Sequence, residues 1–231
     1  MKYRLLLIAT SATLLAGCPI FDEDDDTPPP ADTMVSYTVE VRNLTSNQPL
    51  SPLAVLAHDA DYQMFEIGQP ASNALELMAE SGDNSELLND AAVAYSFSGA
   101  GVILPSQSDS VTMTFNPDQA QYVSVGSMLV NTNDGFVGET QISLSSLAVG
   151  DSMSINMAVW DSGTEANDEA AATVPGPAAG GEGFNSNRDD NDRVSFHAGV
   201  ISQDDGLATS ALNATHRFLN PGARLTITRT E

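Results

Sequence analysis

Val35-Ser36-Tyr37-Thr38-Val39-Glu40-Val41-Arg42 is the stretch that decides the fold class. Val35, Tyr37, Val39 and Val41 are apolar and alternate with Ser36, Thr38, Glu40 and Arg42. A period of two belongs to an extended chain whose side chains point to opposite faces, one toward a core and one toward water. The same alternation returns at Val111, Met113 and Phe115, at Met153, Ile155, Met157 and Val159, and at Leu225 and Ile227 with Thr226 and Thr228 opposite. Less regular strand candidates occupy 53–57, 93–97, 122–130, 141–147 and 194–201, separated by clusters of Gly, Pro, Asn and Asp. Only residues 71–88 carry helical spacing, with Leu75, Leu77, Met78, Leu87 and Leu88 around a Ser81-Gly82-Asp83 break. Many short strands and little helix predict an all-β fold. The expected form is an antiparallel β-sandwich of about eight strands with a short helical segment near 71–88. Residues 173–192, rich in Ala, Gly, Asn and Asp, predict a long loop.

Upstream of that domain the sequence has a different character. Lys2 and Arg4 form a short positive head, and an apolar run follows to Gly17. The run has the length of a signal h-region and falls short of the ~20 residues that span a bilayer. It ends in Leu15-Ala16-Gly17-Cys18, which resembles the bacterial lipobox. Small residues there suit a narrow peptidase pocket, and a thiol after the cut can carry a thioether-linked diacylglycerol. Cys18 is the only cysteine, so no disulfide can form within the chain. The expectation is a cleaved signal over 1–17, a lipidated Cys18, and a membrane-held lipoprotein with no transmembrane helix. An ordinary secretory signal with an incidental cysteine is the alternative. Pro19 stands where inner-membrane retention in Gram-negative bacteria calls for aspartate, so the outer membrane is the expected site. Residues 21–33, FDEDDDTPPPADT, cannot bury apolar surface and repel themselves. They make 18–34 an acidic, proline-rich tether and leave 35–231 as the folded domain. Cation binding by Asp22 to Asp26 competes with the plainer reading of a solvated spacer.

Charge narrows the function classes. The net charge is −23, and it becomes two units more negative without Lys2 and Arg4. No basic stripe exists to displace counterions from phosphates, which argues against nucleic-acid partners. Binding to anionic lipid through a basic patch is disfavoured for the same reason. Acidity of this degree keeps a protein soluble and suits a saline habitat, and by itself it is not evidence of a metal site.

Common catalytic signatures are absent. There is no G-x-S-x-G elbow, no G-x-x-x-x-G-K-[ST] loop, no H-E-x-x-H, and no cysteine free to act as a nucleophile. His58, His197 and His216 are scattered and read as packed or surface residues rather than zinc ligands. One pair of loops is different. Asn131-Thr132-Asn133-Asp134-Gly135-Phe136-Val137-Gly138 follows one strand candidate, and Trp160-Asp161-Ser162-Gly163-Thr164-Glu165 follows another. A hairpin between 141–147 and 153–159 returns the chain near Asp134. Asp134, Asp161 and Glu165 then meet at one end of the sandwich. Such hard oxygen ligands suit Ca²⁺, and a divalent cation relieves the repulsion among them. Plain turn chemistry of D-G and D-S-G is the competing reading.

At these loops the sequence resembles the spondin N-terminal domain family. Pieces in family order include Tyr37-Thr38-Val39-Glu40-Val41, Ser51-Pro52-Leu53, and Leu75-Glu76-Leu77-Met78-Ala79-Glu80-Ser81-Gly82. The two acidic loops and Asn220-Pro221-Gly222-Ala223-Arg224-Leu225 complete a set that spans 35–231. The resemblance implies an eight-stranded sandwich similar to C2 domains, with calcium at the loops of one end. It also implies that Asp134, Asp161 and Glu165 are the ligands. Animal members carry aspartate where this chain has Glu165, a proline and an aromatic where it has Asn133 and Gly135, and disulfides that are impossible here. The resulting expectation is a non-enzymatic, calcium-binding adhesion or matrix-interaction module, anchored to the envelope and meeting an extracellular protein or glycan. An envelope hydrolase using the metal as Lewis acid and a purely structural acidic lipoprotein are the alternatives.

Overall fold

The computed structural model describes residues 33–231. The signal, Cys18 and nearly all of the tether lie outside the described residues. Two antiparallel sheets form the domain. The first has the order β4-β1-β10-β7, built from β1 (Val35–Asn43), β4 (Ser108–Phe115), β7 (Ser152–Met157) and β10 (Ala223–Arg229). The second has the order β3-β2-β5-β6-β8-β9. Its members are β2 (Ala54–His58), β3 (Tyr95–Ser98), β5 (Tyr122–Met128), β6 (Gly135–Ser143), β8 (Val159–Asp161) and β9 (Ser195–Phe196). The predicted β-sandwich is what forms.

The four-stranded sheet follows its sequence pattern directly. Tyr37, Val39 and Val41 of β1, Met113 and Phe115 of β4, and Leu225 and Ile227 of β10 are buried between the sheets. Glu40 and Arg42 face water. Each buried aliphatic side chain of this kind contributes about 1.5–3 kcal/mol relative to exposure. The six-stranded sheet is covered on both faces, and for that reason its strands do not alternate. Val55 and Ala57 of β2 join the inter-sheet core, whereas Ala54 and Leu56 join a second core on the opposite face. Helix α1 (Asn73–Ser81) closes that second core with Leu75, Met78 and Ala79. Ser72 caps α1 by accepting from Leu75 N at 3.1 Å, and Gly82 ends it by donating to Met78 O at 2.9 Å. The short α2 (Ser85–Leu88) follows, so the predicted helical segment is divided at the expected break. No helix among the described residues is long and apolar enough to cross a membrane.

The expected hairpin between 141–147 and 153–159 does not form. β7 pairs with β10 in one sheet, the chain crosses over at Ala158, and β8 pairs with β6 in the other. The burial pattern gives the reason. Ser152–Met157 alternates and keeps a wet face, whereas Val159, Trp160 and Asp161 are all buried, as a sheet covered on both sides requires. β6 begins at Gly135, inside the segment read as a loop, and Gly135 lies directly opposite Asp161. Residues 194–201 supply only the two-residue β9. The long loop over 173–192 holds neither strand nor helix.

Candidate metal centre

Asp134 ends the connection between β5 and β6. Thr132 closes that connection on itself, its hydroxyl donating to Leu129 O at 2.7 Å while accepting from Gly135 N at 2.9 Å. The turn leaves the Asp134 side chain wholly buried. Asp134 Oδ2 accepts from Ser162 Oγ at 2.9 Å, Thr164 N at 2.9 Å and Glu165 N at 3.2 Å. The loop after β8 is therefore wrapped around this one oxygen. Asp134 Oδ1 is buried and has no partner. Burial, reinforced by the charge of Asp161, pushes the Asp134 carboxyl up to about 7, and the donors on Oδ2 do not offset it.

Asp161 is the last residue of β8. Its Oδ1 accepts from Gly163 N at 2.8 Å, and its Oδ2 accepts from the Asn167 side chain. Burial raises its pKa, with Asp190 adding like charge. Glu165 is half-buried, and its Oε2 is buried without a partner. Burial pushes Glu165 up to about 8, followed by the charges of Glu80 and Asp134. The structure thus makes Asp134, Asp161 and Glu165 electrostatic neighbours through the β6–β8 register rather than through the expected hairpin.

A strap from the long loop lies against this end. Asp189 N donates to Thr164 O at 3.1 Å, Asp192 N donates to Gly163 O at 2.8 Å, and Asp189 Oδ1 accepts from Ala166 N at 2.8 Å. Gly163 has φ +72, and a Cβ there would come within 2.4 Å of Arg193 O, so glycine alone permits the approach. Arg188 ties the strap to α1. Its guanidinium meets Glu76 Oε2 and Asp192 Oδ1 at 2.6 Å each, and donates to Ala71 O at 2.9 Å.

Sequence reading missed Glu80. It occupies the last turn of α1, is 1% exposed, and has one buried oxygen, Oε1, without a partner. The available signal was a helix whose core-facing stripe of Leu75, Met78 and Ala79 also includes Glu76 and Glu80, four apart. The histidines have separate surroundings. His58 bonds Ser124 and the Asp59 carbonyl, His197 Nδ1 accepts from Gly199 N, and His216 bonds Asn47 and Asn213 N.

Buried, unpartnered carboxylate oxygens such as Asp134 Oδ1 and Glu165 Oε2 are hard oxygen donors of the type Ca²⁺ takes. Among the described residues, however, no group of three or more His, Cys, Asp or Glu side chains is placed so that it could hold a metal ion. Asp134, Asp161 and Glu165 are electrostatic neighbours and do not form a coordination shell.

Fold and site together are those of a two-sheet antiparallel β module with acidic loops at one end. The chain belongs to the spondin N-terminal domain family, matching Spondin_N over residues 42–178, more than half its length. The matched region contains α1 and both acidic loops, whereas β10 lies beyond it. Comparison with curated proteins gives no match.

Proposed function

We propose that this protein is an envelope-anchored, calcium-binding adhesion or matrix-interaction module. One observation carries the metal part: Asp134 Oδ1 and Glu165 Oε2 are buried, acidic and without partners in neighbouring loops. Asp134, Asp161 and Glu165 are the ligands in this reading, with backbone carbonyls and water completing a calcium shell. The ion neutralises carboxylates that otherwise repel one another, and so fixes the two loops and the strap behind them. Membership of a family of extracellular-type modules supports the adhesion part, with a protein or glycan as partner. Its strongly acidic composition disfavours nucleic acid. The lipobox-like Leu15-Ala16-Gly17-Cys18 supports attachment through Cys18, with the outer membrane as the location.

Calcium titration followed by thermal melting tests the metal part. Wild type gains melting temperature with saturating calcium, and Asp134→Ala and Asp161→Ala lose the gain. An unchanged wild-type melting temperature sinks this reading. Membrane fractionation of Cys18→Ser tests the anchor, since retention of the variant in the membrane fraction contradicts lipid attachment there. Loss of cell adhesion on deletion of the protein supports a surface partner, and unaltered adhesion favours a purely structural coat.

A further inference from the structure

The outer face of the four-stranded sheet takes no part in the acidic end. Its side chains fall into rows that run across the strands. One row is Ser108, Arg42, Arg224 and Asn156, set by the registers of β4 with β1, β1 with β10 and β10 with β7. The next row is Ser110, Glu40, Thr226 and Ser154. The third is Thr112, Thr38, Thr228 and Ser152. Hydroxyls dominate these rows and no position in them is apolar, so the face offers a partner polar groups rather than surface to bury. The Ser152 and Thr228 hydroxyls meet at 2.7 Å, and those of Ser154 and Thr226 at 3.2 Å. Each keeps capacity for a ligand, because a hydroxyl has one donor and two acceptor sites.

Arg42 and Arg224 depart from this pattern. They stand directly opposite one another on neighbouring strands, and both are exposed. Like charges so placed destabilise a sheet. The chain has a net charge of −23, yet neither arginine forms an ion pair among the described residues, whereas Arg188 and Arg217 do. Glu40, one row away on the same face, does not close onto either of them. Arg224 is nonetheless oriented, since its Nε donates to Asn156 Oδ1 at 3.2 Å and its terminal nitrogens are left for another partner. Arg42, Arg224, Glu40 and Thr226 line a depression of about 350 Å³, with Leu44 and Ser106 at its end. That volume is within the range of small-ligand sites.

We propose that this face binds an acidic glycan, its carboxylates held by Arg42 and Arg224 and its hydroxyls by the Ser and Thr rows. Charge complementarity selects the carboxylate. An anion between the two guanidiniums removes their repulsion and accepts charge-assisted, bidentate hydrogen bonds. The hydroxyl rows select a sugar over an acidic peptide, which draws its affinity from apolar pockets or from pairing with a strand edge. The proposal rests on the adhesion reading above, whose partner class and binding face it names, and it does not depend on calcium.

Polygalacturonate, a polymer of uronate sugars, is the probe, with amylose as a neutral glucan and polyglutamate as an acidic peptide. The full chain is titrated with each by calorimetry at ~0.15 M salt, where charges more than about 8 Å away are largely screened. Chelator is present throughout, so that calcium cannot bridge the acidic end to the polymer. Wild type binds polygalacturonate saturably and binds neither of the others. Arg42→Gln and Arg224→Gln each remove charged hydrogen bonds and weaken binding about ten-fold or more. Arg193→Gln removes the same charge from an exposed side chain beside the strap and keeps the wild-type affinity. Thermal melting checks that each variant is folded. Galacturonate monomer competes with the polymer and galactose does not, an arm that requires no variant. Comparable binding of amylose or polyglutamate by wild type overturns the assignment, as does wild-type affinity in folded Arg42→Gln and Arg224→Gln. Absence of polygalacturonate binding overturns it as well, and leaves the adhesion reading to stand or fall by the deletion phenotype.

Discussion

Asp134 and Glu165 make the metal-free protein sensitive to pH in a direction that can be worked out. Their carboxyls are raised to about 7 and about 8, chiefly by burial. An unfolded Asp or Glu releases its proton near pH ~4. Between these values the folded state holds the extra proton, so stability falls as pH rises through the window. His197 acts oppositely: burial lowers it to about 4, and its contribution weakens folding as pH drops below about 6.5. The clean window is therefore pH 6.5 to 8. In chelator the melting temperature should decline across it, and saturating calcium should abolish the decline. Asp134→Asn should flatten the decline in chelator, and a slope equal to wild type would refute the assignment. Gly163 makes a prediction of another kind. Gly163→Ala combines a positive φ with a backbone clash at Arg193, and should cost more than the ~1 kcal/mol of conformational preference alone. Urea denaturation measures it.

At the scale of elements, the strap and β8 do most to build the site. Arg188→Met removes charge-assisted bonds to Glu76, Asp192 and the Ala71 carbonyl. The expected loss is about 2–3 kcal/mol, read as a lower urea midpoint with unchanged slope. β8 holds Asp161 opposite Gly135, and Trp160 secures β8 by donating to Gly138 O at 2.9 Å and packing against Phe65. Trp160→Ala should cost about 3–5 kcal/mol and should weaken calcium binding as well, because Asp161 loses its register. The strands with one wet face were legible from alternation, as at Val35–Asn43 and Ser108–Phe115. β8 was not. Its three residues are buried on both sides, and periodicity carries no signal when neither face meets water. Glu80 was missed for a related reason, since a helical glutamate is ordinarily read as solvated, and only its tertiary neighbours show it to be buried.

For the whole molecule, calcium binding should appear as thermal stability. At calcium about 100-fold above its dissociation constant the gain is ~2.7 kcal/mol. For a domain of this size that corresponds to roughly 5–10 °C in melting temperature. The lone cysteine leaves no internal cross-link, so this stability comes from the two main cores, from a small third cluster of Val174, Val200 and Leu212, and from the ion in the proposed reading. Residue order alone settles the all-β class, the position of the helix and its break, and the two acidic loops. These are local matters of period, capping and composition, and they survive without knowledge of partners. Only the folded chain decides which strands pair. It sends 153–161 into two sheets, sets Asp161 against Gly135, draws Arg188 onto Glu76, and buries Glu80 with the loop acids. Each of those outcomes depends on residues far apart in the chain whose burial becomes favourable only together, so no single segment encodes it.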